Sequence, residues 1–233
     1  MKNLCLLIAL VVVSYQAMAE SNHGVKTNLK YSKNAKFLAD QVETQNLVFI
    51  PEDVTFPKGK QKAKFEKALA IMEEVMNSEE FKTKVIAYER RGVRSYQKNY
   101  LWSASTKLLS NEEIYQVIMN GDEKKRPDTK GEMNFNSWVR VCNKLQMATL
   151  WCRQVIGSTT PDSSFWIKLN WTFYKSFETH EMVANMVHEW IHLLGFLHGN
   201  ERTEEEVPYV VGDIAGEVAK GILQREKAGL TPF

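Results

Sequence analysis

The chain of 233 residues carries 30 basic and 28 acidic side chains, a formal net charge of +2, and 44% of its residues are hydrophobic. A charge this close to zero argues against a general binder of nucleic acid or of membrane surfaces. The composition is that of an ordinary globular protein, and the length is enough for one domain with a sizeable core. We therefore expect a globular protein with no nucleic-acid partner.

The first residues have the order of a secretory signal peptide. Lys2 precedes the ten-residue apolar stretch Leu4 to Val13, and Ala17-Met18-Ala19 supplies the small residues of a cleavage site. This order predicts a signal peptide over residues 1–19 and a mature chain from Glu20. Ten apolar residues are too few to span a bilayer, which needs about 20. We therefore expect an exported protein, periplasmic or secreted, without a stable membrane anchor.

Residues 20–62 are polar and are interrupted by Pro51 and Pro57, with one predicted strand at Leu47 to Ile50. Three interpretations of this segment remain open: an inhibitory pro-segment, an extended arm, or the first strand of the domain. The main domain is expected over residues 63–233.

Two amphipathic helices are predicted after this segment. The first begins near Phe65, and Phe81 to Ala87 could continue it. The second covers Asn111 to Met119 and ends at Asn120-Gly121, a pair that favours a turn.

Cys142 and Cys152 are the two cysteines that follow the predicted signal peptide. In an oxidising compartment they could close a short loop, which would stabilise the fold by roughly 3 kcal/mol. Their spacing is not that of a zinc knuckle. We predict a disulfide, with two buried free thiols as the alternative.

A strand is predicted shortly before the most informative motif of the chain. Phe165, Ile167, Leu169, Trp171 and Phe173 occupy every second position. This period of two is typical of a strand with one buried face.

The eleven residues from His188 to His198 contain three histidines and one glutamate. On a helix, side chains four positions apart lie on one face, so His188 and His192 can direct imidazole nitrogens at one cation. Glu189 is rotated away from that pair and is placed to reach a water on the metal. Gly195 in a left-handed conformation would end the helix and turn the chain back, so that His198 completes the ligand set.

Chance does not readily explain this pattern. From average residue frequencies, its five fixed positions should occur roughly once in 10⁵ chains of this length. Three neutral imidazoles leave one position of a tetrahedral zinc open, which is the arrangement of catalytic zinc sites. We therefore expect one catalytic Zn²⁺ ion, with Glu189 as the general base. The alternative is a degenerate site that kept the motif and lost activity.

These residues resemble the metzincin clan of zinc metallopeptidases, whose signature is His-Glu-x-x-His-x-x-Gly-x-x-His followed by a methionine-containing turn. The first half matches fully, but the last methionine of the chain is Met186. The expected stand-in for the turn is the stretch Val207 to Gly212. Together with residues 156–170 and 182–198, it is similar to a divergent bacterial metzincin-like group that lacks the methionine.

The resemblance implies an α/β (α+β) domain with a twisted mixed sheet, an active-site helix and a backing helix. It implies that residues 63–233 form the catalytic domain, with a small subdomain from about residue 195 closing a cleft. The strand before the active-site helix would lie at the edge of the sheet and pair with extended substrate. Tyr209 would contact the zinc or the oxyanion through its hydroxyl, with a buried core tyrosine as the open alternative.

Together these features predict an exported zinc endopeptidase that acts on peptide or protein substrates. One alternative is a non-catalytic, zinc-stabilised binding module. Glu189 argues against it, because a structural zinc needs neither an open position nor a base. Another alternative is an amidase acting on cell-wall peptide, and the sequence does not separate its substrate from protein.

Overall fold

The structure is a computed structural model that describes residues 28–90, 100–101, 108–124, 130–142, 152, 155–159, 165–198 and 206–230. The signal peptide predicted at residues 1–19 lies outside them. The described residues form small β-sheets and seven helices, so the predicted mixed α/β class is confirmed at that level. Among these residues, no helix combines the length and apolar character needed to span a bilayer.

The first described elements pack into the domain rather than extending away from it. They are β1 (Lys30–Tyr31), α1 (Ala35–Asp40) and β2 (Val48–Ile50). Strand β2 pairs in parallel with β5 (Glu132–Asn134), and the adjacent Leu47 is buried in the core. The described part of the segment before residue 62 therefore contributes strands that pair with later parts of the chain.

Three helices follow: α2 (Lys60–Met76), α3 (Glu79–Ala87) and α4 (Asn111–Asn120). The domain boundary predicted at residue 62 therefore falls inside α2. Ser78 separates α2 from α3, because its Oγ accepts a hydrogen bond from Phe81 N at 3.1 Å and caps a new helix. Helix α4 ends at Asn120, as the sequence predicts, and Gly121 caps it with φ of 64°.

The short strand β3 (Tyr88–Glu89) pairs antiparallel with β1. The main sheet consists of β6 (Ser137–Arg140), β7 (Gly157–Thr159) and β8 (Ile167–Asn170). The strand order is β6-β8-β7, with β6 parallel and β7 antiparallel to β8. It is a small mixed sheet.

Two expectations for the strand before the metal motif are wrong. The strand ends at Asn170, and the next residues form the short helix α5 (Trp171–Tyr174), because Asn170 Oδ1 accepts from Thr172 N at 3.1 Å and caps it. Trp171 and Tyr174 are buried at the three-residue spacing of a helix, whereas Phe173 of the predicted alternation is only half-buried. Strand β8 is also not an edge strand, since it lies between β6 and β7. In the described sheet, β7 is the edge strand on the side away from β6.

Helix α6 (Thr179–Leu193) carries the first two histidines of the motif and packs against both α2 and α7 (Val207–Lys227). Much of the core lies among these three helices, and residues of α3, α4 and the strands complete it. The sequence predicted two main helices and a small closing subdomain from about residue 195. The described part of that region contains α7, a helix of 21 residues. Pro208 lies in its first turn, where a missing backbone N–H is tolerated.

The sulfur atoms of Cys142 and Cys152 lie at disulfide-bond distance, with Cα atoms 6.0 Å apart. Cys152 and Val155 are tied to β8 by the buried side chain of Asn170. Its Nδ2 donates to the carbonyl oxygen of Val155 at 2.9 Å and to that of Cys152 at 3.4 Å. The disulfide region is thereby fixed beside the main sheet, just before β7.

Candidate metal centre

Helix α6 presents two histidines on one of its buried faces. His188 and His192 lie one turn apart, with exposed fractions of 6% and 8%. Their rings are nearly perpendicular, with centroids 4.9 Å apart. The helix is held in place by apolar residues that point into the core, among them Trp190 and Ile191. Because a packed helix is rigid, the two imidazoles have fixed positions.

A tight turn brings the third histidine back to this face. Gly195 follows the end of α6 and adopts φ of 99°, a conformation that residues with a side chain rarely adopt. The short strand β9 (Phe196–Leu197) comes next and pairs antiparallel with β4 (Tyr100–Leu101). His198 follows directly and is buried, with an exposed fraction of 7%.

The three imidazoles converge through their Nε2 atoms. His188 Nε2 lies 3.0 Å from His198 Nε2 and 3.2 Å from His192 Nε2. Each histidine offers one nitrogen, and these nitrogens all lie within 4.8 Å of one another. The three histidines are therefore close enough to bind one metal ion.

Hydrogen bonding among the rings does not account for this arrangement. His192 Nδ1 lies 2.7 Å from the carbonyl oxygen of Phe196 and must donate its proton there, so its Nε2 carries a lone pair. His188 Nε2 could donate to that lone pair, but it could not then also accept a proton from His198. A cation between the rings would accept all three lone pairs. The donor set thus fits a metal ion.

Two of the three separations between these nitrogens are also close to those around a tetrahedral metal ion such as zinc. Two nitrogens bound to one tetrahedral zinc at 2.0–2.1 Å lie about 3.3–3.4 Å apart. The observed separations of 3.0 and 3.2 Å are shorter by only a few tenths of an ångström. Burial, reinforced by His198, lowers the pKa of His192 to about 3, against the opposing effect of its bond to the Phe196 carbonyl. The ring is therefore neutral at pH 7, as a metal ligand must be.

Glu189 faces strand β7. Its side chain is buried, with 4% exposed, and its Oε2 accepts a hydrogen bond from the Thr159 hydroxyl at 2.9 Å. The other carboxylate oxygen lies against Gly157, because a Cβ built on that glycine would stand 2.6 Å from Oε1. The carboxylate is therefore held between α6 and the edge strand of the sheet.

Tyr209 packs on two of the three histidines. Its ring centroid lies 4.2 Å from that of His198 and 4.8 Å from that of His188. The residue is 2% exposed and belongs to the first turn of α7. The segment expected to replace the methionine turn therefore places an aromatic ring against two of the three histidines. Its contact restricts how those imidazoles can rotate.

Helices α6 and α7 approach closely at one glycine. A Cβ on Gly212 would stand 2.8 Å from the carbonyl oxygen of Ala184 and 3.0 Å from Cβ of His188. The missing side chain allows the backbone of α7 to lie directly against the ligand-bearing part of α6.

The C-terminal end of α6 is anchored by buried Glu123, in the turn after α4. Its Oε1 accepts from the indole nitrogen of Trp190 at 2.8 Å and from the backbone nitrogen of Asn134 at 2.9 Å. The backbone nitrogen of the neighbouring Lys124 donates to the carbonyl oxygen of Leu193 at 2.9 Å, which satisfies one of the last carbonyls of the helix.

The sequence placed the three histidines, Glu189 and Gly195 in one motif, and the structure brings the histidines together. The sequence did not indicate the contacts of Thr159, Gly157, Gly212 or the Phe196 carbonyl. The sequence pattern Gly-x-Thr at 157–159 does not by itself indicate a contact with a glutamate. A single glycine likewise does not indicate a close contact between two helices. No family model, curated protein or solved structure matches this chain.

Proposed function

We propose that this protein is a zinc-dependent endopeptidase of the metzincin type, exported to the periplasm or the cell exterior. The observation that carries the proposal is the convergence of three buried imidazole nitrogens, two of them on the helix that also carries the buried side chain of Glu189. The expected substrates are peptides or proteins. The signal-peptide pattern and the disulfide support export, because disulfides persist in oxidising compartments.

The chemistry follows from the residues of the site. A zinc ion held by the three histidines would act as a Lewis acid on the scissile carbonyl and would make a water acidic near neutral pH. Glu189 takes the proton from the attacking water and delivers it to the leaving amine. Burial of the carboxylate strengthens its interactions, since the surroundings screen charge poorly. Tyr209 keeps two ligands in place, and its hydroxyl is our candidate for stabilising the oxyanion.

A binding module with a structural zinc is the competing class. Structural zinc sites have four protein ligands, whereas the described residues hold three ligating side chains here. Such a module would also have no use for a buried carboxylate next to the first ligand. Both observations favour the enzyme.

The direct test compares the wild-type protein with Glu189→Ala on a mixed peptide library, each with measured zinc content and with any pro-segment removed. We expect cleavage by the wild type only, with zinc retained in both, since loss of general base catalysis typically lowers rates by about 10² to 10⁴-fold. Equal cleavage by both proteins would indicate a contaminating protease or another base. No cleavage by either would favour the binding module.

A further inference from the structure

Strand β7 contacts the glutamate of the metal motif through two side-chain positions. Residues 157 and 159 lie two apart on the strand and therefore face the same side of the sheet, towards α6. Ser158 lies between them and faces the opposite side. The strand is short, and its register is fixed by antiparallel pairing of Gly157 with Leu169 and of Thr159 with Ile167.

Thr159 fixes one oxygen of the carboxylate. Its hydroxyl donates to Glu189 Oε2 at 2.9 Å and also lies 3.3 Å from the backbone carbonyl oxygen of Glu189. A β-branched side chain has few rotamers, so the hydroxyl is held in one direction. Because the acceptor is a buried carboxylate, this is one of the stronger kinds of hydrogen bond.

Gly157 leaves room for the rest of the carboxyl group. A Cβ at this position would stand 2.6 Å from Oε1, 2.8 Å from Cδ and 2.8 Å from Cγ of Glu189. All three atoms belong to a flexible side chain, so an alanine here would displace the carboxyl group rather than the backbone of α6. Gly157 therefore controls where the carboxylate lies.

We propose that Thr159 and Gly157 are positioning residues for Glu189, and that β7 sets the place and orientation of the general base. This inference rests on the proposed function only in naming Glu189 as the base; the contacts themselves do not depend on it. Thr159 orients the carboxylate through the hydrogen bond to Oε2. Gly157 provides the space in which Oε1 lies.

The expected effects concern turnover rather than zinc binding. Thr159→Val removes the hydroxyl at nearly constant volume and should lower kcat about 10- to 100-fold, the range for loss of a hydrogen bond to a charged group. Gly157→Ala should lower kcat about 10²-fold, since a misplacement of about 1 Å can have that effect. KM should change little in Thr159→Val and in Gly157→Ala. Thr159→Ser keeps the hydroxyl and should therefore have most of the wild-type kcat. Ser158→Ala is the matched control on the opposite face of β7 and should behave as wild type.

A second readout does not depend on activity. The denaturation midpoints of the metal-free wild type, Thr159→Val, Glu189→Ala and the double variant form a double-mutant cycle. Thr159→Val should lower the midpoint in the wild-type background and have little effect once Glu189 is alanine. Zinc content, measured on the reloaded proteins, should stay at the wild-type level in Thr159→Val and Gly157→Ala.

The two readouts separate this inference from the proposed function. If the wild type cleaves no peptide, the proposed function fails, while coupling between Thr159 and Glu189 in the midpoints still supports positioning. Additive midpoints, or kcat unchanged in both Thr159→Val and Gly157→Ala, would overturn the inference. Should Thr159→Val not fold, Thr159→Ala takes its place in the cycle, with the same expectation.

Discussion

Because α6 and α7 touch at Gly212, we expect Gly212→Ala to destabilise the protein. Helix propensity alone would predict the opposite sign. Glycine to alanine in a helix interior normally stabilises a protein by about 1 kcal/mol. At Gly212 the new Cβ would stand 2.8 Å from a backbone carbonyl oxygen and 3.0 Å from Cβ of His188. Neither atom is the far end of a flexible side chain, so the helices themselves must move apart.

Overpacking of this kind destabilises by about 1–3 kcal/mol. After the gain in helix propensity of about 1 kcal/mol is subtracted, Gly212→Ala should lower the free energy of unfolding by up to about 2 kcal/mol. In a domain of this size that lowers Tm by roughly 2–4 °C for each kcal/mol. Because one of the two close contacts is His188, we also expect a loss of about 10-fold in zinc affinity, comparable to the loss of a supporting contact at other metal sites.

Gly221 provides the matched control, since it lies on the same helix. A Cβ there would meet only the guanidinium of Arg225, at an ordinary 3.5 Å. Gly221→Ala should therefore stabilise by up to about 1 kcal/mol and leave zinc affinity unchanged. The assay is thermal unfolding of both variants with and without zinc, together with competition against a chelator. If Gly212→Ala were as stabilising as Gly221→Ala and bound zinc as tightly as wild type, our account of the helix contact would be refuted.

Two further predictions concern the disulfide and Tyr209. Replacing Cys142 and Cys152 by serine should lower the free energy of unfolding by roughly 3 kcal/mol, measured with urea, and leave one zinc per chain; two reactive thiols in the denatured wild type would contradict the disulfide. Tyr209→Phe should keep the ring contacts and the zinc but lower turnover by up to about 10²-fold, measured on a cleaved peptide. Tyr209→Ala should in addition weaken zinc binding, measured by chelator competition. Unchanged turnover in Tyr209→Phe would contradict a role of the hydroxyl in catalysis and leave Tyr209 with a packing role alone.

The sequence predicted the parts of the site that depend on local spacing. The separation of His188 from His192 follows from helix geometry alone, and Gly195 indicated the turn that returns His198. The same holds for the end of α4 before Gly121 and for the end of β2 at Ile50. In each case the signal lies within a few residues of the feature that it predicts.

The features that the sequence did not predict depend on neighbours distant in the chain. Alternation at 165–173 matched a strand, but Asn170 caps a helix there because its side chain can reach Thr172 N. The central place of β8 is set by pairing with β6 and β7, which alternation within β8 does not encode. The bond from Thr159 to Glu189 joins residues 30 positions apart, and no local pattern marks it.

The zinc content of the purified mature chain tests the central claim most directly. Elemental analysis after refolding with zinc and removal of loosely bound metal should give one zinc ion per chain for the wild type and for Glu189→Ala, because Glu189 is not a ligand in this account. His192→Ala should lose most of its zinc, since two remaining imidazoles make a weak site. A zinc content near zero in the wild type, or an undiminished content in His192→Ala, would contradict the assignment of His188, His192 and His198 as the metal centre.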